Sequence, residues 1–230
     1  MISRLEIISK IADTRAAVLK RKIASQGFSV SDVVVVDVYT IEKQLTSKEL
    51  KQISEMLTNP VVAESSFAQT LAPKKFQWAV EIGFQPGVTD NVATTTREMI
   101  EDLLHTKFRN GEGVYTSQLL FISGKINAGD IEKIINSLHN PLIQKARSKN
   151  FAQFITDRGM GKLAPRVKLT GRVKVDKVNL NVGDEELAKI GKQGIANRDG
   201  SRRGPLALGL DYLKAIQTYF KKAGRNPQGH

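Results

Sequence analysis

One passage that the chain repeats constrains its fold more than any other feature. Residues 45–62 read LTSKELKQISEMLTNPVV and residues 126–143 read INAGDIEKIINSLHNPLI, at a constant offset of 81 positions. The first copy opens with Thr46 and Glu49 at capping-box spacing, which is typical of a helix N-terminus. Both copies stop at an Asn-Pro pair, because proline cannot continue a helix. We interpret the two passages as matched helices of a duplicated unit.

The second copy has a looser form of the cap, in Asn127 and Asp130. Between cap and stop, both copies place apolar residues at helical spacing, so that they share one face of a helix. We expect this face to form the core of each repeat and to carry no chemistry. The residues concerned are Leu50, Ile53, Leu57, Ile131, Ile134 and Leu138.

The residues around the first helix complete a β-α-β-β-α-β unit. Valine-rich residues 31–42 predict two middle strands, with a kink between them at Asp37. The other predicted elements are a strand at 4–11, a helix at 13–26 that ends before Gly27, the helix at 47–57, and a short strand at 61–62.

The second unit follows a polar linker at 65–75 and repeats this order. Its first strand, 78–84, alternates apolar residues with polar or small ones, so that only the apolar face is expected to be buried. Within it, Val80-Glu81-Ile82 matches Leu5-Glu6-Ile7 of the first unit. Middle strands are expected within 114–123. The helix before them is expected to begin after Asp90 and to bury Val92, Thr96, Met99 and Leu103.

The predicted fold class is α+β, with two tandem β-α-β-β-α-β repeats packed as a pseudo-dimer. A basic linker region with a short strand and two helices follows. The predicted domains are a first repeat at 1–66, a second repeat at 76–148, and the linker domain at 149–230. A single hydrophobic core gives only marginal stability to a domain as short as one repeat, so we expect the two repeats to stabilise each other.

The charge of the chain is distributed unevenly along the sequence. Residues 1–143 hold 16 basic and 16 acidic residues, so the net charge of +12 lies entirely in residues 144–230. Such a segment suits an acidic partner: nucleic acid, a phosphorylated ligand or a protein surface. The chain has no cysteine, which excludes disulfides and thiolate metal sites. With no membrane-length apolar run and no signal peptide apparent, we expect a cytoplasmic protein.

The basic region, residues 144–230, contains several different sequence patterns in turn. Residues 144–165 read as irregular, residues 166–175 alternate as a strand with one basic face, and a short helix begins near Asp184. A glycine-rich loop at 191–205 precedes a helix at 207–223. The loop carries the best anion-binding candidates, because neighbouring guanidinium groups can grip phosphate. They are Arg198, Arg202 and Arg203. A solvated loop packed on an acidic neighbour explains them equally well.

No catalytic residue or metal site is predicted on this chain. The histidines, His105, His139 and His230, lack metal-ligand spacing. The acidic run at 184–186 has a sufficient role at a helix N-terminus. The basic strand lacks the interleaved aromatic residues of many single-strand-binding proteins, which argues against nucleic acid as the partner.

Three segments together resemble one family of enzymes. They are VVVVDVYTIEKQLTSKELKQISEMLTNPVV at 33–62, EIGFQPGVTDN at 81–91, and DGSRRGPLALGLDYLKAIQTYFKKAGRNP at 199–227. The chain resembles the N-terminal part of large-form phosphoribosylformylglycinamidine synthase, which uses ATP and glutamine in purine biosynthesis. Each repeat is similar to that family's small structural subunit, a separate dimeric protein in split forms of the enzyme.

The resemblance implies a structural role, in which two fused repeats replace a dimer and the linker joins the synthetase to the glutaminase. The family's acidic helix and Ser-Glu-His-Cys motif would follow Pro227, where this sequence has Gln228, Gly229 and His230. No catalytic residue can therefore be carried over. ATP and Mg²⁺ would belong to the synthetase domains, and this chain alone is expected to be inactive.

Two other interpretations remain open. The chain could be a nucleic-acid-binding protein with a basic tail, in which case its affinity would fall steeply with salt. It could also be a small regulatory module that binds an anion at the glycine-rich loop.

Overall fold

The computed structural model describes residues 1–162, 164–165, 176–197 and 200–229. The chain forms two compact units, residues 1–167 and residues 168–230. The described residues are of mixed α and β type, with one six-stranded antiparallel sheet, short two-stranded ladders and seven helices. The predicted α+β class is therefore confirmed. The three predicted domain boundaries stay predictions.

The first unit contains six strands and five helices among its described residues. In chain order they are β1 Ile2–Ser9, α1 Thr14–Ser25, β2 Ser29–Glu42, α2 Ser47–Leu57, β3 Ala63–Ser66, β4 Trp78–Phe84, α3 Asn91–Leu104, β5 Gly113–Lys125, α4 Ala128–Leu138, β6 Gln144–Asn150 and α5 Phe151–Thr156. The strand order in the sheet is β3-β1-β2-β5-β4-β6. The first three strands thus come from residues before the polar linker, and β2 meets β5 at the centre.

Several local predictions about the strands were wrong. Residues 31–42 form part of one strand, because β2 pairs with β5 without interruption from Asp32 to Glu42 and the only register shift lies between Val30 and Asp32. There is no kink at Asp37. Its carboxylate instead accepts two hydrogen bonds from Arg15, at 2.8 and 3.0 Å. The middle strands predicted for the second repeat, within 114–123, are likewise the single strand β5.

The predicted strand at 61–62 is a turn. The Asn59 carbonyl accepts hydrogen bonds from the backbone N–H groups of Val62 and Ala63, and β3 begins only at Ala63. A matching turn precedes β6, where the Asn140 carbonyl accepts from Ile143 and Gln144. The Asn-Pro pair therefore ends the helix, as predicted, but then reverses the chain before the strand begins.

Helices α1 to α4 contribute to the cores on one face of the sheet. One of these cores joins the inward side chains of α1 and α4 to β2, β4 and β5, and another joins α2 and α3 to the ends of β2 and β5. Ile53, Ile131 and Ile134 are buried in these cores, and Leu50, Leu57 and Leu138 pack against them. Both helices that carry these residues begin with full capping boxes.

The buried face of α3 is rotated from the predicted one. Ala93, Thr96 and Ile100 are buried, whereas Val92 and Met99 are 54 % and 40 % exposed. Both faces of an apolar-rich helix fit a loose periodicity, so the pattern did not distinguish them.

The opposite face of the sheet is also buried, contrary to the prediction for 78–84. A third core packs β2, β4 and β5 against Phe76, Phe154 and Met160. Phe154 belongs to α5, in a segment that was expected to be irregular, and its ring meets those of Phe76 and Phe121 edge-on at 5.2 and 5.4 Å. The polar linker and the residues after β6 thus cover a second sheet face.

The second unit has its own core. Its described elements are β7 Asp176–Lys177, α6 Asp184–Gln193, β8 Ile195–Ala196, β9 Arg202–Arg203, α7 Leu210–Lys222 and β10 Gln228–Gly229. Leu187, Ile190 and Leu213 are buried where α6 packs on α7. Gly191 allows this contact, because a Cβ there would lie 2.3 Å from the Leu208 carbonyl. The predicted strand at 166–175 lies outside the described residues.

Among the described residues, every helix is too short or too polar to cross a membrane.

Candidate functional site

A network of four charged side chains lies on the sheet face opposite helices α1 to α4. Arg4 of β1 donates from Nε to Glu6 and from Nη1 to Glu81, both at 2.8 Å. Arg147 of β6 donates from Nη2 to the other oxygen of Glu81 at 2.9 Å. Arg4, Glu6 and Glu81 are each less than 10 % exposed. Two cations and two anions thus balance one another inside the protein.

Each carboxylate of the network is also held by neutral donors. Glu6 accepts hydrogen bonds from the Thr70 hydroxyl and the Leu71 backbone N–H, at 2.9 and 2.8 Å. Glu81 accepts one from the Ser117 hydroxyl at 2.6 Å. Buried charges need such additional partners, because their attraction alone does not offset the loss of water.

The charges of the network reinforce one another. Burial acts to lower the pKa of Arg4, but the charges of Glu81 and Glu6 and the hydrogen bonds to them outweigh burial, so the pKa is raised. Its Nη2 atom is buried and has no hydrogen-bond partner among the described residues. One nitrogen of the guanidinium, with its two N–H groups, is therefore left unpaired among the described residues.

A cleft of about 240 Å³ opens beside Glu81 on the same sheet face. Its floor is the sheet itself, where Thr40 lies opposite Tyr115 and Gly83 lies between Ser117 and Lys145. Its walls are mainly apolar and come from Phe84, Pro86, Ala164 and Pro165. The cleft thus combines a polar floor with apolar sides.

The arrangement offers binding groups more readily than a catalytic pair. Both oxygens of Glu81 are already engaged with Arg4, Arg147 and Ser117. The Ser117 hydroxyl is committed to the same carboxylate, and no histidine lines the cleft. In the described part of the chain, no group of acidic residues and histidines could hold a metal ion.

A second opening, of about 530 Å³, lies on the helix side of the sheet. It is lined by the ion pair of Arg15 with Asp37, by Tyr39, and by apolar residues of α1 and α4. The hydrogen bonds of Arg15 to Asp37 and Asp13 raise its pKa, and burial raises the pKa of Tyr39. Arg15 and Asp37 satisfy each other, so they point to a structural contact.

The structure describes two of the three predicted anion-binding arginines. Arg198 lies outside the described residues. Arg202 donates from Nη1 to the Gly194 carbonyl at 3.0 Å, at the C-terminal end of α6, and Arg203 is half-buried in β9. Cations favour that end of a helix, so Arg202 already has a structural role. Binding of an anion by these three residues stays a prediction.

The remaining candidates also have local partners. His105 is the left-handed C-cap of α3, and the Nδ1 atom of His139 lies 2.6 Å from the Ile135 carbonyl. Asp184 pairs with Lys214 at 2.6 Å and Glu186 with Lys189 at 3.6 Å. His230 is outside the described residues.

Sequence reasoning did not find the charge network. It matched Glu6 with Glu81, but it assigned Glu81 to an open face and had no means of joining Arg4 to Arg147. The one available signal was a glutamate at the same place in two strands of the predicted repeats.

A scan against known protein families gives no match for this chain, and a search among curated proteins gives none.

Proposed function

We propose that this chain is the non-catalytic structural and linker part of a phosphoribosylformylglycinamidine synthase. In this role the first unit is a fused pair of small-subunit repeats that takes the place of a dimer. The second unit is a basic linker that contacts the synthetase and glutaminase parts of the enzyme. The chain would hold the two active parts together and help ammonia pass between them without loss.

The observation that carries the proposal is the pairing of β2 with β5. These strands pair over nearly their whole lengths, so residues before and after the polar linker share one sheet. The register supports a duplication: Glu6 lies opposite Val38 and Ser66, and Glu81 lies opposite Leu119 and Arg147. Each partner of Glu81 follows the corresponding partner of Glu6 by 81 positions, the offset of the repeated helices.

The turns after α2 and α4 add independent support. The Lys10 backbone N–H donates to the Val62 carbonyl, and that of Gln85 donates to the Ile143 carbonyl. The side chains repeat the pattern, since Lys10 Nζ donates to the Pro60 carbonyl and Gln85 Nε2 to the Pro141 carbonyl. Two different residue types thus make the same contacts at matched places, which favours a common ancestral unit.

The surface of α7 suits a linker that lies against a larger partner. Tyr212 and Tyr219 lie two helical turns apart on one face and are 71 % and 61 % exposed. Lys221 and Lys222 follow in the last turn. Exposed tyrosines are enriched at protein interfaces, and the positive charge suits an acidic surface.

The proposal is tested by adding the chain to the separately produced synthetase and glutaminase domains of such an enzyme. The measured quantity is the amount of formylglycinamidine ribonucleotide formed per glutamine hydrolysed. We expect the chain to hydrolyse neither ATP nor glutamine alone and to raise this ratio toward one. An unchanged ratio, with no complex detected by size-exclusion chromatography, would contradict the proposal.

A matched pair of variants locates the contact. The double variant Tyr212→Ala, Tyr219→Ala should lower the affinity for the catalytic domains at least tenfold, because interface tyrosines carry much of the binding energy. Thr218→Ala, at an exposed position roughly 100° around the helix from Tyr219, should bind as the unchanged chain does. Equal affinities for both variants would place the contact elsewhere.

A further inference from the structure

The cleft beside Glu81 carries unused hydrogen-bond donors and an excess of positive charge. The charges of Arg4, Glu6, Glu81 and Arg147 cancel within the buried network. Lys145, at the edge of the cleft, has no ion-pair partner in the part of the chain that the structure describes. The cleft is therefore left with a net positive charge.

Two hydroxyl groups join Lys145 on the floor of the cleft. Thr40 and Tyr115 lie opposite each other on β2 and β5, and neither hydroxyl is hydrogen-bonded to another described residue. The Thr40 side chain is only 5 % exposed. The hydroxyl itself is not fully enclosed, so a ligand that accepts a hydrogen bond from it would take the place of water in the cleft.

The shape of the cleft depends on Gly83. This residue lies between Ser117 and Lys145, and a Cβ on it would come within 3.1 Å of the Ser117 Cβ. The missing side chain leaves a hollow in the sheet floor. A volume of about 240 Å³ accommodates a small organic molecule.

The apolar walls give the cleft a second selectivity. Pro86, Ala164 and Pro165 line the cleft, and the Tyr115 ring adds an aromatic surface. Small-molecule sites typically combine such walls with a few convergent polar groups. A flat apolar body would fit between the walls while an anionic group faces the floor.

We propose that this cleft binds a small organic oxyanion, a carboxylate or a phosphate monoester with a flat apolar body. Lys145 binds the anionic group, and the hydroxyls of Thr40 and Tyr115 donate hydrogen bonds to it. A cationic ligand is disfavoured, because the oxygens of Glu81 are already engaged and the charges of Lys145 and Arg147 would repel it. This inference is independent of the scaffold proposal and would hold if that proposal failed.

The test is a titration of the full chain with four probes, followed by amide chemical shifts in ¹⁵N-edited NMR spectra. The probes are benzoate, phenyl phosphate, inorganic phosphate and benzylamine. We expect at least one of the two aromatic anions to shift the amides of Thr40, Gly83 and Lys145 saturably, with a dissociation constant on the order of 1 mM or below. Which anion binds more tightly distinguishes the carboxylate from the phosphate ligand.

The other probes determine whether the proposal survives. Benzylamine should produce no saturable shift at these residues, and inorganic phosphate should bind at least tenfold more weakly than the better aromatic anion. Absence of saturation with both aromatic anions, or equally tight binding of benzylamine, would overturn the proposal. Equal binding of inorganic phosphate would overturn the assigned apolar body.

Variants separate a specific site from a general effect of charge. Lys145→Gln should weaken binding of the better anion by about tenfold or more, because a hydrogen bond to a charged group is lost. Lys145→Arg should retain most of the affinity. Lys133→Gln makes the same charge change on an exposed residue of α4 and should have no effect. Equal losses for Lys145→Gln and Lys133→Gln would overturn the assignment.

Discussion

Two glutamates at matched positions, Glu6 and Glu81, show how the halves of the first unit differ. Both lie on the first strand of their half, on the same sheet face, and both bind Arg4. The polar linker covers Glu6, and its Thr70 hydroxyl and Leu71 backbone N–H donate hydrogen bonds to the carboxylate. Glu81 instead binds Arg147 and borders an open cleft.

The two glutamates occupy matched positions, but the residues opposite them in the sheet differ. The residue opposite Glu6 on β3 is Ser66, and the residue opposite Glu81 on β6 is Arg147. Arg4 pairs with both carboxylates, whereas the second cation, Arg147, pairs only with Glu81. If the two halves are the proposed fused repeats, the comparison teaches that they keep a shared core and still use their two ends differently, one sealed and one open.

The largest expected effect tests this asymmetry. Glu81→Gln leaves Arg147 without a carboxylate and Arg4 with only one, so it should lower the free energy of unfolding by about 3–5 kcal/mol. Glu6→Gln takes a carboxylate from Arg4 alone, which keeps its pairing with Glu81, and should cost about half as much. Urea unfolding with equal m-values for both variants measures the difference. Equal losses, or a larger loss for Glu6→Gln, would show that the two sites are not distinguished by Arg147.

The next test uses core positions where the halves are alike. Ile53 and Ile134 are both fully buried at matched places on α2 and α4. Ile53→Ala and Ile134→Ala should each lower the free energy of unfolding by about 3 kcal/mol, because each leaves a cavity. A single cooperative transition at closely similar urea midpoints is the expected result. Two transitions, with each variant moving only one, would mean that the halves unfold separately.

A smaller effect is expected at the matched caps. Thr46 accepts a hydrogen bond from the Glu49 backbone N–H, and Asn127 accepts one from the Asp130 backbone N–H. Thr46→Ala and Asn127→Ala should each cost about 1 kcal/mol. Circular dichroism during thermal unfolding provides the measurement. A loss in only one of the two variants would show that the repeated cap has lost its role in the other half.

The smallest expected effect is a dependence on pH at one cap. Hydrogen bonds from the backbone N–H and hydroxyl of Thr46 hold the pKa of Glu49 below its usual value. The stabilisation is therefore complete above the ordinary glutamate range and is lost as pH falls through the lowered pKa. The difference between the unchanged chain and Glu49→Gln should be a few tenths of a kcal/mol at pH 7, because the carboxylate meets solvent, and should shrink toward pH 3. A difference that is the same at both values would contradict this.

Local signals predicted the ends of α1, α2 and α4, although α5 was missed. The Thr46 and Asn127 caps, the Asn-Pro stops and the glycine after α1 identify helix ends through interactions within a few residues. Such interactions are readable from one sequence, because the residues involved are neighbours in the chain. The division of charge between the neutral and the basic part was also visible directly.

Features that depend on distant residues could not be predicted. The continuity of β2 past Asp37 follows from its pairing with β5, and the burial of Glu81 follows from Arg4 and Arg147, which lie on strands at opposite sides of the centre. The cleft requires Gly83 to stand beside Ser117 and Lys145. Neither periodicity nor composition shows which distant residues become neighbours in the sheet. The candidate site could therefore be identified only from the fold.

The central claim, that two repeats form one body through their middle strands, is tested most directly by native-state hydrogen exchange. Hydrogen exchange measures the free energy of opening for each amide. We predict that the β2 and β5 amides between Val33 and Thr40 and between Tyr115 and Ile122 are the slowest of the first unit and open with one common free energy. Exchange of these amides at lower free energy than the buried amides of α2 and α4 would contradict the claim, because each half would then be stable without the other.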